Sequence, residues 1–182
     1  GEKRENLEQA IACFQNALKV YTFDAFPVDW AMKQNNLGFA YSQADNLEQA
    51  ITAYTAALTI RTREASPQTH AETLFYLGIA HQKTYKFKEA YNNFESAIAT
   101  VESLREEILS GEESKRKQAE YFNQFYSCMV GLCLELNNTT QAIEYVERSK
   151  TRNLVEQILD RDSKTIFHSD DFTRLETYRD EK

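Results

Sequence analysis

The sequence predicts an all-α solenoid of antiparallel helical hairpins, and three observations carry that expectation. Of 182 residues only 5 are Gly and 2 are Pro, about a third of the usual combined share of ~12%. Glycine-dependent turns and the many hairpins of a β-sandwich are hard to supply from so few. The hexamer Asn6-Leu7-Glu8-Gln9-Ala10-Ile11 returns unchanged as Asn46-Leu47-Glu48-Gln49-Ala50-Ile51, 40 residues on. Both prolines, Pro27 and Pro67, fall at one point of that same period. A period of this length is the signature of a stacked repeat array.

The agreement extends well beyond the hexamer. A third copy, Lys86-Phe87-Lys88-Glu89-Ala90-Tyr91, keeps the apolar second position and the alanine. Phe14, Tyr54 and Phe94 fall in register, as do Ala17, Ala57 and Ala97. Leu37-Gly38 matches Leu77-Gly78, with Ala31 and Ala40 matching Ala71 and Ala80.

Taken in order, residues 5–24 hold only the second helix of a repeat. A helix over 31–44 places Leu37, Gly38 and Tyr41 on one face, and one over 47–60 aligns Ala50, Tyr54, Ala57 and Leu58. Asp45-Asn46 supplies side chains of the kind that cap a helix start, and the prolines suit the first helical turn. The helix from Phe87 overruns to about Leu109, Ser110-Gly111 breaks it, and Glu112 to Leu136 forms another. A degenerate fourth unit pairs Val130-Gly131 with Leu37-Gly38, one residue shorter between its helices. The domain reading is a solenoid over 1–160, with a half repeat 5–24, repeats 27–63 and 67–109, and the degenerate repeat 112–159. A linker with a short helix spans 161–182.

Three mid-helix glycines, Gly38, Gly78 and Gly131, each cost about 1 kcal/mol relative to Ala. Close approach of a second helix explains them. Ala50 and Ala90 are expected to face the first two, with Tyr54 and Phe94 filling the wider gap one turn on.

Leu37-Gly38-x-x-Tyr41 followed by Ala50, Tyr54 and Ala57 resembles the tetratricopeptide repeat. Leu77-Gly78 with Ala90, Phe94 and Ala97 matches as well, with His81 in the tyrosine's place and Gln34 and Leu74 where the usual tryptophan stands. The 40-residue period is similar to the long-repeat branch of that family. The resemblance implies a right-handed superhelix and a non-catalytic protein–protein interaction module. The stretch Glu147-Arg148-Ser149-Lys150-Thr151-Arg152-Asn153-Leu154-Val155 resembles the element that ends the repeat region in bacterial proteins carrying a caspase-like CHAT peptidase domain. That resemblance implies a docking or substrate-capture arm of a larger regulatory protein.

Composition narrows the partners. The net charge is -7, from 28 acidic and 21 basic residues, with a pI near 5.1. A nucleic-acid surface normally shows a basic excess, so nucleic acid is not the expected partner. Mean hydropathy is -0.61, and no apolar run approaches the roughly 20 residues a membrane helix needs. The three cysteines, Cys13, Cys128 and Cys133, lack CxxC spacing and read as buried, reduced thiols of a cytoplasmic protein. A lone His81, with His70 and His168 away from any cysteine or carboxylate set, offers no zinc-ligand group. No cofactor, metal or catalytic site is expected. Gly1 in place of Met suggests a piece of a longer chain.

What remains is shape. If Leu37, Gly38 and Tyr41 pack inward, the opposite face of each first helix lines a groove. Those positions are Met32, Asn36, Phe39 and Gln43, then Glu72, Tyr76, Ile79 and Lys83. Such a mixture of apolar, amide and charged groups suits a peptide or protein partner. Asn36 also matches the asparagine with which tetratricopeptide repeats hold a ligand backbone. Homo-oligomerisation through the unpaired face of the truncated first repeat is the structural alternative.

Overall fold

Residues 2–107 and 112–150 are described by the structure, a computed structural model. The helices are α1 Glu2–Ala17, α2 Pro27–Gln43, α3 Leu47–Leu58, α4 Pro67–Lys83, α5 Phe87–Glu107 and α6 Glu112–Glu135. A last one, α7, is described over 139–150. The predicted Ser110-Gly111 break, the end of the fourth repeat and the linker 161–182 lie outside the described residues.

Each helix from α1 to α6 packs on its neighbours in the chain, and α2 also touches α4, as α4 touches α6. Contacts confined to adjacent units define a helical repeat solenoid. The all-α expectation holds among the described residues. The first helices start earlier than expected, because Pro27 and Pro67 open α2 and α4 themselves. Proline's fixed φ and missing N–H fit that first position.

The turns inside the hairpins end their helices by backbone geometry alone. At the end of α2 the Asn46 N–H donates to the Tyr41 carbonyl at 2.9 Å and the Asp45 N–H to Ser42 at 3.3 Å. Lys86 onto His81 and Tyr85 onto Gln82 repeat this at 2.9 and 3.0 Å, and Asn138 onto Cys133 and Asn137 onto Leu134 at 2.8 and 3.0 Å. This is the Schellman pattern, which needs a left-handed residue at its fifth place. Asp45, Tyr85 and Asn137 supply it at φ 61, 60 and 57. The expected side-chain cap from Asp45-Asn46 is therefore corrected: Asn46 makes no capping bond, and the left-handed Asp45 closes the turn.

The links between hairpins are equally regular. Thr22 accepts from the Ala25 N–H at 3.3 Å and Thr62 from Ala65 at 3.2 Å. Phe26 and Ser66 each donate back to those threonines' carbonyls at 2.9 and 3.0 Å. Links 18–26 and 59–66 thus share one backbone design with different side chains.

Within a hairpin, glycine admits an aromatic ring. A Cβ on Gly38 would lie 2.8 Å from Tyr54 Cδ1, and one on Gly78 only 2.6 Å from Phe94 Cε1. The expected pairing of glycine with alanine is corrected here, since the large residue faces the glycine directly. Tyr54 and Phe94 are completely buried as a result.

Gly131 does not fit that scheme, for nothing lies within 4 Å of its Cβ position. The turn residues Tyr85 and Asn137 and the buried alanines Ala90 and Ala142 keep one constant offset. Nothing is missing between the helices of the fourth hairpin. Val130 occupies the Gly78 position, and Gly131 sits one place further round, on the open side. Val146 stands where Phe94 does. A smaller second-helix residue accompanies the larger first-helix one.

Helix α7 is held on α5 by a polar cluster. Arg148 Nη2 donates to both Glu102 oxygens at 3.0 and 2.9 Å, and Nη1 lies 3.5 Å from Glu95. The Tyr145 hydroxyl donates to Glu95 and lies 3.1 Å from that of Tyr91. Tyr126 of α6 donates to Glu102 at 2.7 Å. Arg148 belongs to the 147–155 stretch singled out in the sequence, of which 151–155 lie outside the described residues, and it clamps two helices.

Candidate partner groove

First helices α2 and α4 lie side by side, and a positional rule governs which residues meet. The residue at the Asn35 position reaches forward to the next first helix. Asn35 Oδ1 accepts from the Thr73 hydroxyl at 3.0 Å, and Phe75, its equivalent, stacks on Phe125 of α6 at 4.2 Å. The residue one place on faces backward. Tyr76 meets Phe39 edge-on at 5.7 Å and stacks on Tyr54 at 6.1 Å.

Phe39 and Tyr76 are thus the two predicted groove residues that the structure brings into ring contact. Phe39 stays open to solvent at 45%, as does Met32 at 37%; Gln43 and Lys83 are also exposed. Asn36 and Ile79 are half-buried, with Ile79 packed against the main core. Glu72 is half-buried and accepts from Gln68 at 3.3 Å. Gln43 additionally lines a cleft of 810 Å³ against α1, floored by Leu7 and Ile11. Tyr76 is more than a groove-lining residue, because its ring packs against both core clusters.

Sequence reasoning missed the polar junction beneath the groove. Thr73 is fully buried. Its hydroxyl lies 2.7 Å from the Thr69 carbonyl and accepts from Arg61 Nη1 at 3.1 Å. The Arg61 carbonyl in turn accepts from His70 Nδ1 at 2.7 Å, which places the imidazole proton on that nitrogen. Burial lowers the Arg61 guanidinium's pKa, against the opposing pull of Glu72. The signal was present in the period: Tyr21 and Lys33 stand at the positions of Arg61 and Thr73, and Lys33 lies over the Tyr21 ring at 5.2 Å.

The remaining titratable groups point away from nucleophilic chemistry. Burial pushes both the Cys128 and Cys133 thiols up, with Glu144 and Glu95 adding to the effect at Cys133. A thiolate nucleophile needs the opposite shift. His81 is pushed down by burial and then by Lys86, with Glu89 and Glu48 opposing. Cys13 is exposed, which corrects its reading as a buried thiol. Its counterpart one period on, Ala53, is buried. Among the described residues no group of three or more His, Cys, Asp or Glu could hold a metal ion, and no helix is long and apolar enough to cross a membrane.

Gly38 against Tyr54 and Gly78 against Phe94 repeat one packing unit a period apart. Residues 31–103 match the tetratricopeptide repeat family. The matched stretch holds α3 and α4 and most of α2 and α5, and with them every predicted groove residue. Two solved structures are similar to the chain. "Crystal structure of MamA protein" is 15% identical with a TM-score of 0.49, covering 92% of this chain and 89% of that one. "Crystal structure of MamA" is 15% identical with a TM-score of 0.42, covering 88% and 94%. A comparison with curated proteins finds no match.

Proposed function

We propose that the chain is a non-catalytic docking module that binds a peptide or partner segment along the row of first helices, over α2 and α4. Phe39 carries the reading. Its ring is nearly half exposed, yet Tyr76 braces it from the side and Tyr54 supports Tyr76 from below. A braced, open aromatic is the kind of anchor on which binding energy concentrates, because little rotamer freedom is left to lose. Met32 and Ile79 extend the apolar surface, Asn36 and Gln43 offer amide donors and acceptors, and Lys83 and Glu72 set opposite charges on it.

The test is capture of a partner from the source cell's lysate, then titration against variants. Phe39→Ala is expected to weaken binding by about 1–3 kcal/mol while moving stability by no more than ~0.5 kcal/mol. Asn36→Ala should act in the same direction. Wild-type affinity in both variants would remove the groove from consideration. Tyr76→Ala is a poor probe, since it strips packing from two clusters.

A finer reading makes this module the sensing or substrate-capture arm of a bacterial, cytoplasmic regulator with a CHAT peptidase domain. It rests on the resemblance of residues 147–155 to the element that closes such repeat regions. Reading the gene beyond Lys182 tests it, for a caspase-like His and Cys must follow.

A further inference from the structure

We propose that the α1–α2 link and the first turn of α2 form a self-association surface whose partner is a second copy of this chain. The patch consists of Val20, Phe23, Phe26 and Val28, exposed by 66, 48, 47 and 74%. So dense a set of open apolar side chains is unusual on a surface with no partner. The inference is independent of the groove over α2 and α4. It also moves self-association off the face of α1, where the exposed residues Ala12 and Cys13 are small.

The repeat contains its own control. Link 59–66 makes the same hydrogen bonds as link 18–26. At the matching positions it and the start of α4 carry Arg63, Ser66 and Gln68 in place of Phe23, Phe26 and Val28. At these three positions the backbone does not require apolar side chains, and something other than the turn accounts for them; Val20 alone has an apolar match, Ile60. The rings are also set in advance. Tyr21 meets Phe26 edge-on at 5.7 Å and Phe23 meets Trp30 at 5.1 Å, so docking freezes few rotamers.

Charge favours a second copy as the occupant. The chain as a whole carries -7, a bias against association that a charge-balanced surface avoids. Around the patch the signs balance, with Lys19 and Lys33 against Asp24 and Asp29. Across a two-fold axis each acidic residue of one copy can meet a cation of the other. Area agrees with a weak dimer. Two half-exposed phenylalanines and two largely exposed valines offer roughly 400 Å² per copy. Doubled, and joined by a rim of Tyr21 and Trp30, this approaches the ~1,000 Å² at which specific interfaces begin.

The experiment is sedimentation equilibrium of the whole chain from micromolar to near-millimolar concentration. The control variant is F23R/F26S/V28Q, which installs the residues that the second link already uses on the same backbone. Wild type is expected to rise from 21.1 kDa toward twice that mass, while the variant stays at the single-chain mass with an unchanged helical spectrum. A wild type that never leaves the single-chain mass overturns the proposal. So does a variant that associates as wild type does. Should the triple variant melt early, Val28→Gln alone must still weaken association at least several-fold, and failure there is equally fatal.

Discussion

Asn35 and Thr73 hydrogen-bond across the α2–α4 junction at 3.0 Å, at the position where the next junction stacks Phe75 on Phe125 at 4.2 Å. One solenoid thus joins successive first helices by a polar pair, a half-buried Asn35 on a buried Thr73, and then by an aromatic one. The polar junction is the more demanding, because Thr73 also receives Arg61. Thr73→Val strands both partners and should cost about 1–3 kcal/mol, the penalty for an unsatisfied buried group. Asn35→Leu added to it should cost less than the sum of the two single changes, since paired replacement removes the orphan. A double-mutant cycle in urea reads this directly; strict additivity would mean the pair is not coupled.

The same substitution at three glycines should have two different signs. Gly78→Ala drives a Cβ to 2.6 Å from the buried Phe94 ring and should destabilise by about 1–3 kcal/mol. Gly38→Ala against Tyr54 should behave alike. Gly131→Ala meets open space and should stabilise by up to ~1 kcal/mol, the helix propensity difference. Thermal melts of the three variants are sufficient.

Tyr85 holds φ 60 with its side chain 78% exposed, a bulky residue in a conformation that favours Gly or Asn. Left-handed geometry costs a side chain about 1–2 kcal/mol, against which Gly loses part in chain entropy. The only ring contact Tyr85 forfeits among those described is edge-on to Phe87 at 6.0 Å. Tyr85→Gly should therefore raise stability by about 0.5–1 kcal/mol. A lower melting temperature would show that the Phe87 contact outweighs the backbone.

Tyr54 buries its hydroxyl without a hydrogen-bond partner, and burial raises its pKa so that it stays neutral. Phe94 fills the same place in the next hairpin. Tyr54→Phe removes an orphaned polar atom and should be neutral or stabilising by about 1 kcal/mol. Loss of stability in chemical denaturation would reveal a bridging water.

Arg148 answers two carboxylates, Glu95 and Glu102, one on each side. Arg148→Leu leaves both carboxylates with only their tyrosine donors, Tyr145 and Tyr126, and should cost about 1–3 kcal/mol, less at high salt, since the group is partly exposed. Hydrogen exchange should quicken in 139–150 while α2 to α4 remain protected. Uniform protection would mean that apolar packing alone holds α7.

The direct seating of Tyr54 on Gly38 and of Phe94 on Gly78 came from the fold; the repeat period, the helical hairpins and the close packing at those glycines were legible in the sequence. They are encoded by small and large residues at fixed spacing within one repeat, and repetition makes local patterns visible. What tertiary structure decided was helix phase. Neighbouring residues on a helix point about 100° apart, so a one-place difference selects a different partner. That is why Asn35 and not Asn36 crosses to α4, why Val130 and not Gly131 takes the packing position, and why Tyr76 is a brace with only part of its ring in the groove. Cys13 is open for a related reason. Burial depends on what packs over a helix, and Ala53, at the same place one period on, is buried. The Arg148 cluster joins residues about 50 positions apart, and only the stacking of α5, α6 and α7 brings those charges together.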